Sequence, residues 1–249
     1  ELEQTVLAAA DAVVSVTPHI VDQLRARAPK NLGQDQFHLI PNGFDPAHFP
    51  DDPPPLADPF TIVHTGGLYH LRPVEPLLRI LDAWFESHPE RVGQVRVKLA
   101  GRATDEVKKA IEESPWSDRI ELLGFVSHRR VRELIVSAHV NLLMIEQVRT
   151  AAWLYTGKVF EYIGARRPIL TLGPDPSPLA DLLRDTGLGM ICSYESPEET
   201  GKTLECLFQE EKQNLPNPCE EQIQRFNACH QTGQLAGIFG EVAHLDRTS

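Results

Sequence analysis

The residues most suited to chemistry begin with a pair of glycines. In Thr65-Gly66-Gly67-Leu68-Tyr69-His70-Leu71-Arg72-Pro73, two positions without a Cβ let backbone N–H groups approach an anion closely. The helix expected after Pro73 offers its N-terminus, and Arg72 adds a fork of donors matched to phosphate oxygens. The pattern is neither G-x-G-x-x-G nor a Walker A loop, which disfavours a dinucleotide site or an NTPase. A tight turn beside a surface arginine is the plain alternative. A second cation stands beside a carboxylate at Lys158 and Glu161, i and i+3 on one helix face near the positive end of its dipole. As an intrahelical ion pair it contributes only ~0.3 kcal/mol. As a cation for phosphate beside an acceptor for vicinal hydroxyls, it suits the diphosphate and ribose of a nucleotide. Two further loops bear glycine where a ligand or another backbone could come close: Leu99-Ala100-Gly101-Arg102 and Gly124-Phe125-Val126-Ser127-His128, the latter with Ser127 as a helix cap. Both are also readable as plain connections.

The elements that must position these loops alternate regularly. Strands are expected at Phe60–His64, Val95–Ala100, Arg119–Leu122, Val140–Met144, Ile169–Leu172 and Met190–Ser193. Helices are expected at Val74–Ser87, Asp105–Glu113, Arg129–Ala138, Gly157–Ala165 and Leu179–Arg184, followed by Pro197–Gln209, Glu220–Cys229 and Gln234–Val242. The first helix is the clearest, with Val74, Leu77, Leu78, Leu81, Trp84 and Phe85 on one stripe behind Pro73. This alternation predicts an α/β fold: a doubly wound parallel sheet with extra C-terminal helices, whose ligands bind at the carboxyl ends of the strands. Upstream, Ala12–Val16 and Phe37–Ile40 are strand-like around a helix at Pro18–Ala28, too little to form a core alone. The seam is Pro50-Asp51-Asp52-Pro53-Pro54-Pro55, a stiff connector. The expected organisation is residues 1–50 as the end of one domain, 51–59 as linker and 60–245 as a second domain. Because the chain opens on Glu1 in a helix-like pattern, a preceding segment is expected.

Composition excludes several classes. Net charge is −11, from 24 Lys and Arg against 35 Asp and Glu, which argues against a nucleic-acid surface or broad attraction to anionic lipid. Cys192, Cys206, Cys219 and Cys229 form no C-x-x-C and read as reduced thiols of a cytoplasmic protein. No apolar run reaches the ~18 residues of a membrane span. His64, His70 and His128 lie near strand ends and read as ordinary residues.

Taken together, Ala10-Asp11-Ala12-Val13-Val14, Ile40-Pro41-Asn42-Gly43-Phe44-Asp45, His64 to Tyr69, Gly124-Phe125-Val126 and Lys158-Val159-Phe160-Glu161-Tyr162-Ile163 through Arg167-Pro168-Ile169-Leu170 resemble the retaining glycosyltransferases of the GT-B fold, group 1 (family 4). The resemblance runs from about residue 1 to residue 245. It implies a two-domain enzyme in which residues 60–245 bind a nucleotide-diphosphate sugar of UDP or GDP type, while residues 1–50 end an acceptor-binding half. It implies that Gly66 and Gly67 lie against the donor phosphates, that Arg72 and Lys158 stabilise the leaving diphosphate, and that Glu161 holds the ribose. Phe125 and Val126 are similar to the loop that meets the nucleobase, and Gly101, Arg102, Tyr155 and Thr156 complete the expected donor set. Trp153 stands where the family's E-x7-E motif has its first Glu, and Gly67 where an arginine is usual. No Asp-x-Asp is present, so neither a metal nor another cofactor is expected. The implied activity is glycosyl transfer with retention to an acceptor hydroxyl in polysaccharide or glycoconjugate assembly. This piece alone is expected to bind the nucleoside diphosphate weakly and to be inactive. The acceptor, carbohydrate or lipid-linked, and any membrane contact at the inner face belong to the other half. A non-catalytic nucleotide-sugar-binding scaffold and a GT-B-fold epimerase are the alternatives, the latter lacking the acid/base carboxylates it needs.

Overall fold

The computed structural model describes residues 2–29, 32–50, 54–70, 72–146, 148, 155–210 and 218–245. A short helix α1 (Leu2–Ala8) leads into a parallel pair, β1 (Val13–Ser15) and β2 (Phe37–Leu39), joined through α2 (Pro18–Arg27). Thr17 caps α2 by accepting from the Ile20 N–H at 3.3 Å, and Pro18 takes the first helical position, where no donor is needed.

The main body is a six-stranded parallel sheet with the order β5-β4-β3-β6-β7-β8. Its strands are β3 (Phe60–Thr65), β4 (Val95–Ala100), β5 (Ile120–Gly124), β6 (Val140–Met144), β7 (Ile169–Leu172) and β8 (Gly189–Cys192). The connecting helices are α3 (Glu75–Ser87), α4 (Asp105–Glu112), α5 (His128–Val136), α6 (Gly157–Ala165) and α7 (Pro178–Thr186); α8 (Pro197–Glu210), α9 (Glu220–Gln224) and α10 (Ala228–Leu245) follow. The expected α/β fold with a doubly wound parallel sheet is present.

Strand side chains alternate between two cores, which is why the strands read as continuous apolar runs. Ile62, Leu142 and Leu170 join one core with α3 and α8, whereas Val63, Leu143 and Ile169 join the other with α5, α6 and α7. In α3 the residues Leu77, Ile80, Leu81, Trp84 and Phe85 are almost wholly buried, each contributing ~2 kcal/mol of transfer free energy. Trp84 stacks on Phe85 at 5.3 Å and donates its indole N–H to Glu205 at 2.9 Å. Arg91 closes that buried group with a 2.8 Å ion pair to Glu205 and lies 4.3 Å over the Phe208 ring.

Strand order reverses between β3 and β6, so a crevice opens at their carboxyl ends. Phe44 and Phe49, upstream of the proline seam, pack onto the sheet body. Phe44 belongs to the α5–α7 core, and a Cβ at Gly164 would meet the Phe49 ring at 2.7 Å. Phe44 also bridges Asn227, its N–H reaching the Phe226 carbonyl at 2.8 Å while the Ala228 N–H returns to the Phe44 carbonyl at 3.0 Å. That bridge takes the backbone groups a helix would use, so the helix expected over Glu220–Cys229 stops at Gln224 and α10 starts early, at Ala228. Beyond the seam, buried Arg167 donates its Nε to the Val136 carbonyl at 2.8 Å and a guanidinium N–H to the Pro54 carbonyl, tying the connector to the sheet body.

Candidate functional site

The carboxyl ends of β3, β4 and β5 and the N-terminus of α6 surround a cleft of about 610 Å³. Its walls include Gly66, Gly67, Gly101, Arg102, Phe125, Val126, Lys158 and Glu161. Eight of the eleven sequence-selected site residues therefore meet around one space, although they come from four separate stretches of chain. Thr65, Ala100, His128, Val131 and Gly157 complete the wall.

The floor is two glycine turns in backbone contact. Gly66 has φ +133° and Gly101 φ +149°, conformations that L side chains rarely adopt. A Cβ on Gly101 would overlap the carbonyl group of Gly66 and lie 3.1 Å from its Cα. One on Gly66 would overlap the end of the Lys158 side chain, so the ammonium lies directly on this turn. The Gly66 N–H donates to the Ala100 carbonyl at 2.7 Å and the Leu68 N–H to the Arg102 carbonyl at 2.8 Å. Gly67 between them makes no backbone hydrogen bond through its N–H among the described residues.

Supporting groups stand behind the floor. The Tyr162 hydroxyl, from α6, accepts from the Thr65 N–H and the Thr65 hydroxyl, each at 3.0 Å, and donates to the Leu142 carbonyl at 3.3 Å. It thereby fixes the ends of β3 and β6 to the helix that carries Lys158 and Glu161. Burial pushes its phenol up to about 12, so it stays protonated. His64 is wholly buried, its Nδ1–H donating to the Leu142 carbonyl at 2.9 Å. Burial and the nearby Lys158 and Arg72 hold its pKa down to about 3, opposed by the carbonyl bond, so the ring is neutral at ordinary pH.

Lys158 is the cation of the cleft most shaped by its surroundings. Burial, then Arg72, brings its pKa from 10.5 to about 8, while Glu146 and Glu161 pull the other way. It has no hydrogen bond or ion pair among the described residues, nor has Glu161. A desolvated ammonium and a free carboxylate one helical turn apart are a complementary pair of ligand groups: one for a phosphate, one for paired hydroxyls.

Three of the selected residues lie elsewhere. Arg72 is not on the cleft wall: its guanidinium donates to the Gly67 carbonyl at 3.1 Å and to Glu146 at 3.2 Å, and lies 5.5 Å over the Tyr69 ring. Tyr155 packs edge-on against Phe160 at 5.8 Å, and burial raises its phenol pKa. Thr156 caps α6 through its backbone, its carbonyl accepting from the Val159 N–H at 3.1 Å. Trp153 lies outside the described residues. His128, which the sequence presents as an ordinary residue, is placed on the wall by the cap of α5, where Ser127 accepts from the Arg130 N–H at 3.3 Å. Glu146 and Tyr162 carried no local signal, because Glu146 meets Arg72 across 74 residues of chain and Tyr162 meets Thr65 across 97.

Among the described residues no group of three or more His, Cys, Asp or Glu could hold a metal ion, and no helix is long and apolar enough to cross a membrane.

No family model matches the chain. A stretch of 114 residues, 45% of the chain, is 29% identical to the phosphatidylinositol N-acetylglucosaminyltransferase gpi3 subunit of Schizosaccharomyces pombe and covers 24% of it. A stretch of equal length is 31% identical to a phosphatidylinositol N-acetylglucosaminyltransferase subunit of Arabidopsis thaliana, covering 25% of that protein. These matches thus span about a quarter of the length of the curated relatives. Among solved structures, the lipopolysaccharide outer core galactosyltransferase WaaB aligns over 93% of this chain and 62% of its own, with TM-score 0.64 and 15% identity. Alr3699/HepE of Anabaena, solved with UDP and glucose, aligns over 95% of this chain and 67% of its own, with TM-score 0.66 and 17% identity. At such identities the likeness is one of fold: the sheet body has the Rossmann-like form found in GT-B glycosyltransferases.

Proposed function

We propose that this chain is the donor-binding part of a retaining glycosyltransferase of group 1 (family 4), moving a sugar from a UDP- or GDP-sugar to an acceptor hydroxyl. The observation that carries the reading is the shared cleft: a glycine floor under the Lys158 ammonium, with Glu161 one turn further along α6. In this reading the diphosphate lies over Gly66 and Gly67 against Lys158, Glu161 accepts from the ribose hydroxyls, and the base rests between Phe125, Val126 and Arg102. Departure of the nucleoside diphosphate develops about two negative charges, which preorganised N–H groups and a cation stabilise without reorganisation. Retention follows from attack on the face the leaving group vacates, the donor phosphate assisting deprotonation of the acceptor. No protein nucleophile, metal or cofactor is required of this part.

Residues 60–245 are the donor domain in this scheme, 51–59 the linker and 1–50 the end of an acceptor-binding half. The acceptor, a carbohydrate or a lipid-linked glycoconjugate, and any contact with the inner face of a membrane are assigned to that other half. The names of the curated relatives, which pair an N-acetylglucosaminyl group with phosphatidylinositol, favour the lipid-linked class. Calorimetry with UDP and GDP tests the site: one of the two is expected to bind, with the affinity lost in Lys158→Ala and Glu161→Ala. Absence of binding by both would sink the assignment.

A further inference from the structure

Arg72, off the cleft wall, sits in a clamp. Its two terminal nitrogens are divided between the Gly67 carbonyl, at 3.1 Å, and Glu146, at 3.2 Å. The same Glu146 oxygen accepts from the Tyr69 hydroxyl, whose ring lies under the guanidinium. The Arg72 side chain is only 11% exposed, whereas that of Glu146, just beyond β6 at the sheet's switch point, is 32% exposed. The turn carrying Gly67 is therefore tied through Arg72 to the end of β6.

We propose that Glu146 is a positioning residue of the donor cleft: its carboxylate fixes Arg72 behind the Gly66-Gly67 turn and supplies the counter-charge that lets Arg72 and Lys158 stand near one another. This inference rests on the donor-site reading above. Two cations held near one another, Lys158 on the cleft and Arg72 behind its floor, repel when no anion is bound, and each loses hydration on burial. A carboxylate between strand end and turn offsets that cost while leaving the Lys158 ammonium free of direct partners. The charged and titratable groups around Lys158 are consistent with this arrangement. Arg72 from the loop after β3 lowers its pKa, whereas Glu146 from the end of β6 and Glu161 on its own helix raise it. His64 on β3 is neutral there.

The test is UDP and GDP titration of the chain by calorimetry between pH 6.5 and 9.5, on wild type, Glu146→Gln, Glu146→Asp and Tyr69→Phe, with melting temperatures recorded. In Glu146→Gln the nucleotide is expected to bind roughly ten-fold more weakly at pH 8. The alkaline limb of the binding profile is expected to move to lower pH, because the Lys158 proton has lost a stabilising charge. Glu146→Asp keeps the charge but not the reach, and is expected to retain the limb while binding more weakly; Tyr69→Phe retains the limb as well. A limb unmoved in Glu146→Gln, or tighter binding there, overturns the inference, the latter marking Glu146 as a residue that merely repels phosphate. Absence of binding by the wild type would instead overturn the donor-site reading, so the two failures are distinguishable.

Discussion

Replacing Gly101 with alanine probes the closest backbone approach beneath the cleft. The new Cβ would overlap the Gly66 carbonyl group, and neither partner is the flexible end of a side chain that could turn aside. An alanine held at φ +149° costs ~1–3 kcal/mol, and overpacking against a fixed backbone a further ~1–3. The sum, about 4 kcal/mol, is below the ~5–15 kcal/mol stability of a typical domain, so the protein stays folded. At ~2–4 °C per kcal/mol for a domain of this size, the melting temperature should fall by about 10 °C. Relief of the overlap moves the Gly66 turn, on which the Lys158 side chain lies, so nucleotide binding should be lost as well. The control is Gly67→Ala, whose Cβ would stand 3.6 Å from the Arg102 carbonyl and from the Tyr69 ring, an ordinary contact costing ~0.5 kcal/mol or less. Scanning fluorimetry and calorimetry with UDP measure both effects. If Gly101→Ala melts with the wild type and binds as well, the two-turn floor is not what shapes this site.

Other outcomes follow from the same geometry. Lys158 is charged below about pH 8, so affinity for a nucleoside diphosphate should fall as pH rises through that value, while Lys158→Met abolishes binding yet raises the melting temperature at pH 7 by removing a desolvated charge. Between pH 8 and 10.5 the unfolded state binds the Lys158 proton more than the folded state does, so wild-type stability relative to that variant should increase with pH across this window. Glu205 works against burial, but bonds from Arg91, Trp84 and Gln209 hold its pKa down to about 2. Its contribution is present above pH 4.5 and lost as pH falls towards 2; Glu205→Gln should cost ~3 kcal/mol at neutral pH and flatten the acid dependence of the melting temperature. Tyr162→Phe leaves the buried Thr65 N–H without its acceptor and should cost ~1–3 kcal/mol in chemical denaturation, with amide exchange quickening at the end of β3.

How far these features could be read from the residues alone depends on the range of the interaction that sets them. Strands β6 and β7 and helix α6 agree residue for residue with the apolar runs and breakers that mark them, since burial on both faces leaves a local signature. Gly66 and Gly101 are legible as places of close approach because each follows a strand in a fold that binds at strand ends, and Lys158 and Glu161 as ligand groups because they share one face of a helix's first turns. Arg72 was legible as a cation but not as a clamped one, because Glu146, Tyr69 and the Gly67 carbonyl converge on it only in three dimensions. The early start of α10 was likewise invisible: the bridge from Phe44 to Asn227 interrupts a stretch whose local pattern favours helix throughout. Tyr155 and Thr156 belong to the donor set that the resemblance implies, but the direction of a side chain ahead of a helix is set by what it packs on, for Tyr155 the Phe160 ring.

The most direct test of the central claim is a crystal structure of the chain soaked with UDP and with GDP. The diphosphate is expected over Gly66 and Gly67 within hydrogen-bond reach of Lys158 Nζ, with the ribose hydroxyls on the Glu161 carboxylate. A nucleotide bound elsewhere, or a cleft left empty at saturating concentrations of both, would contradict the account.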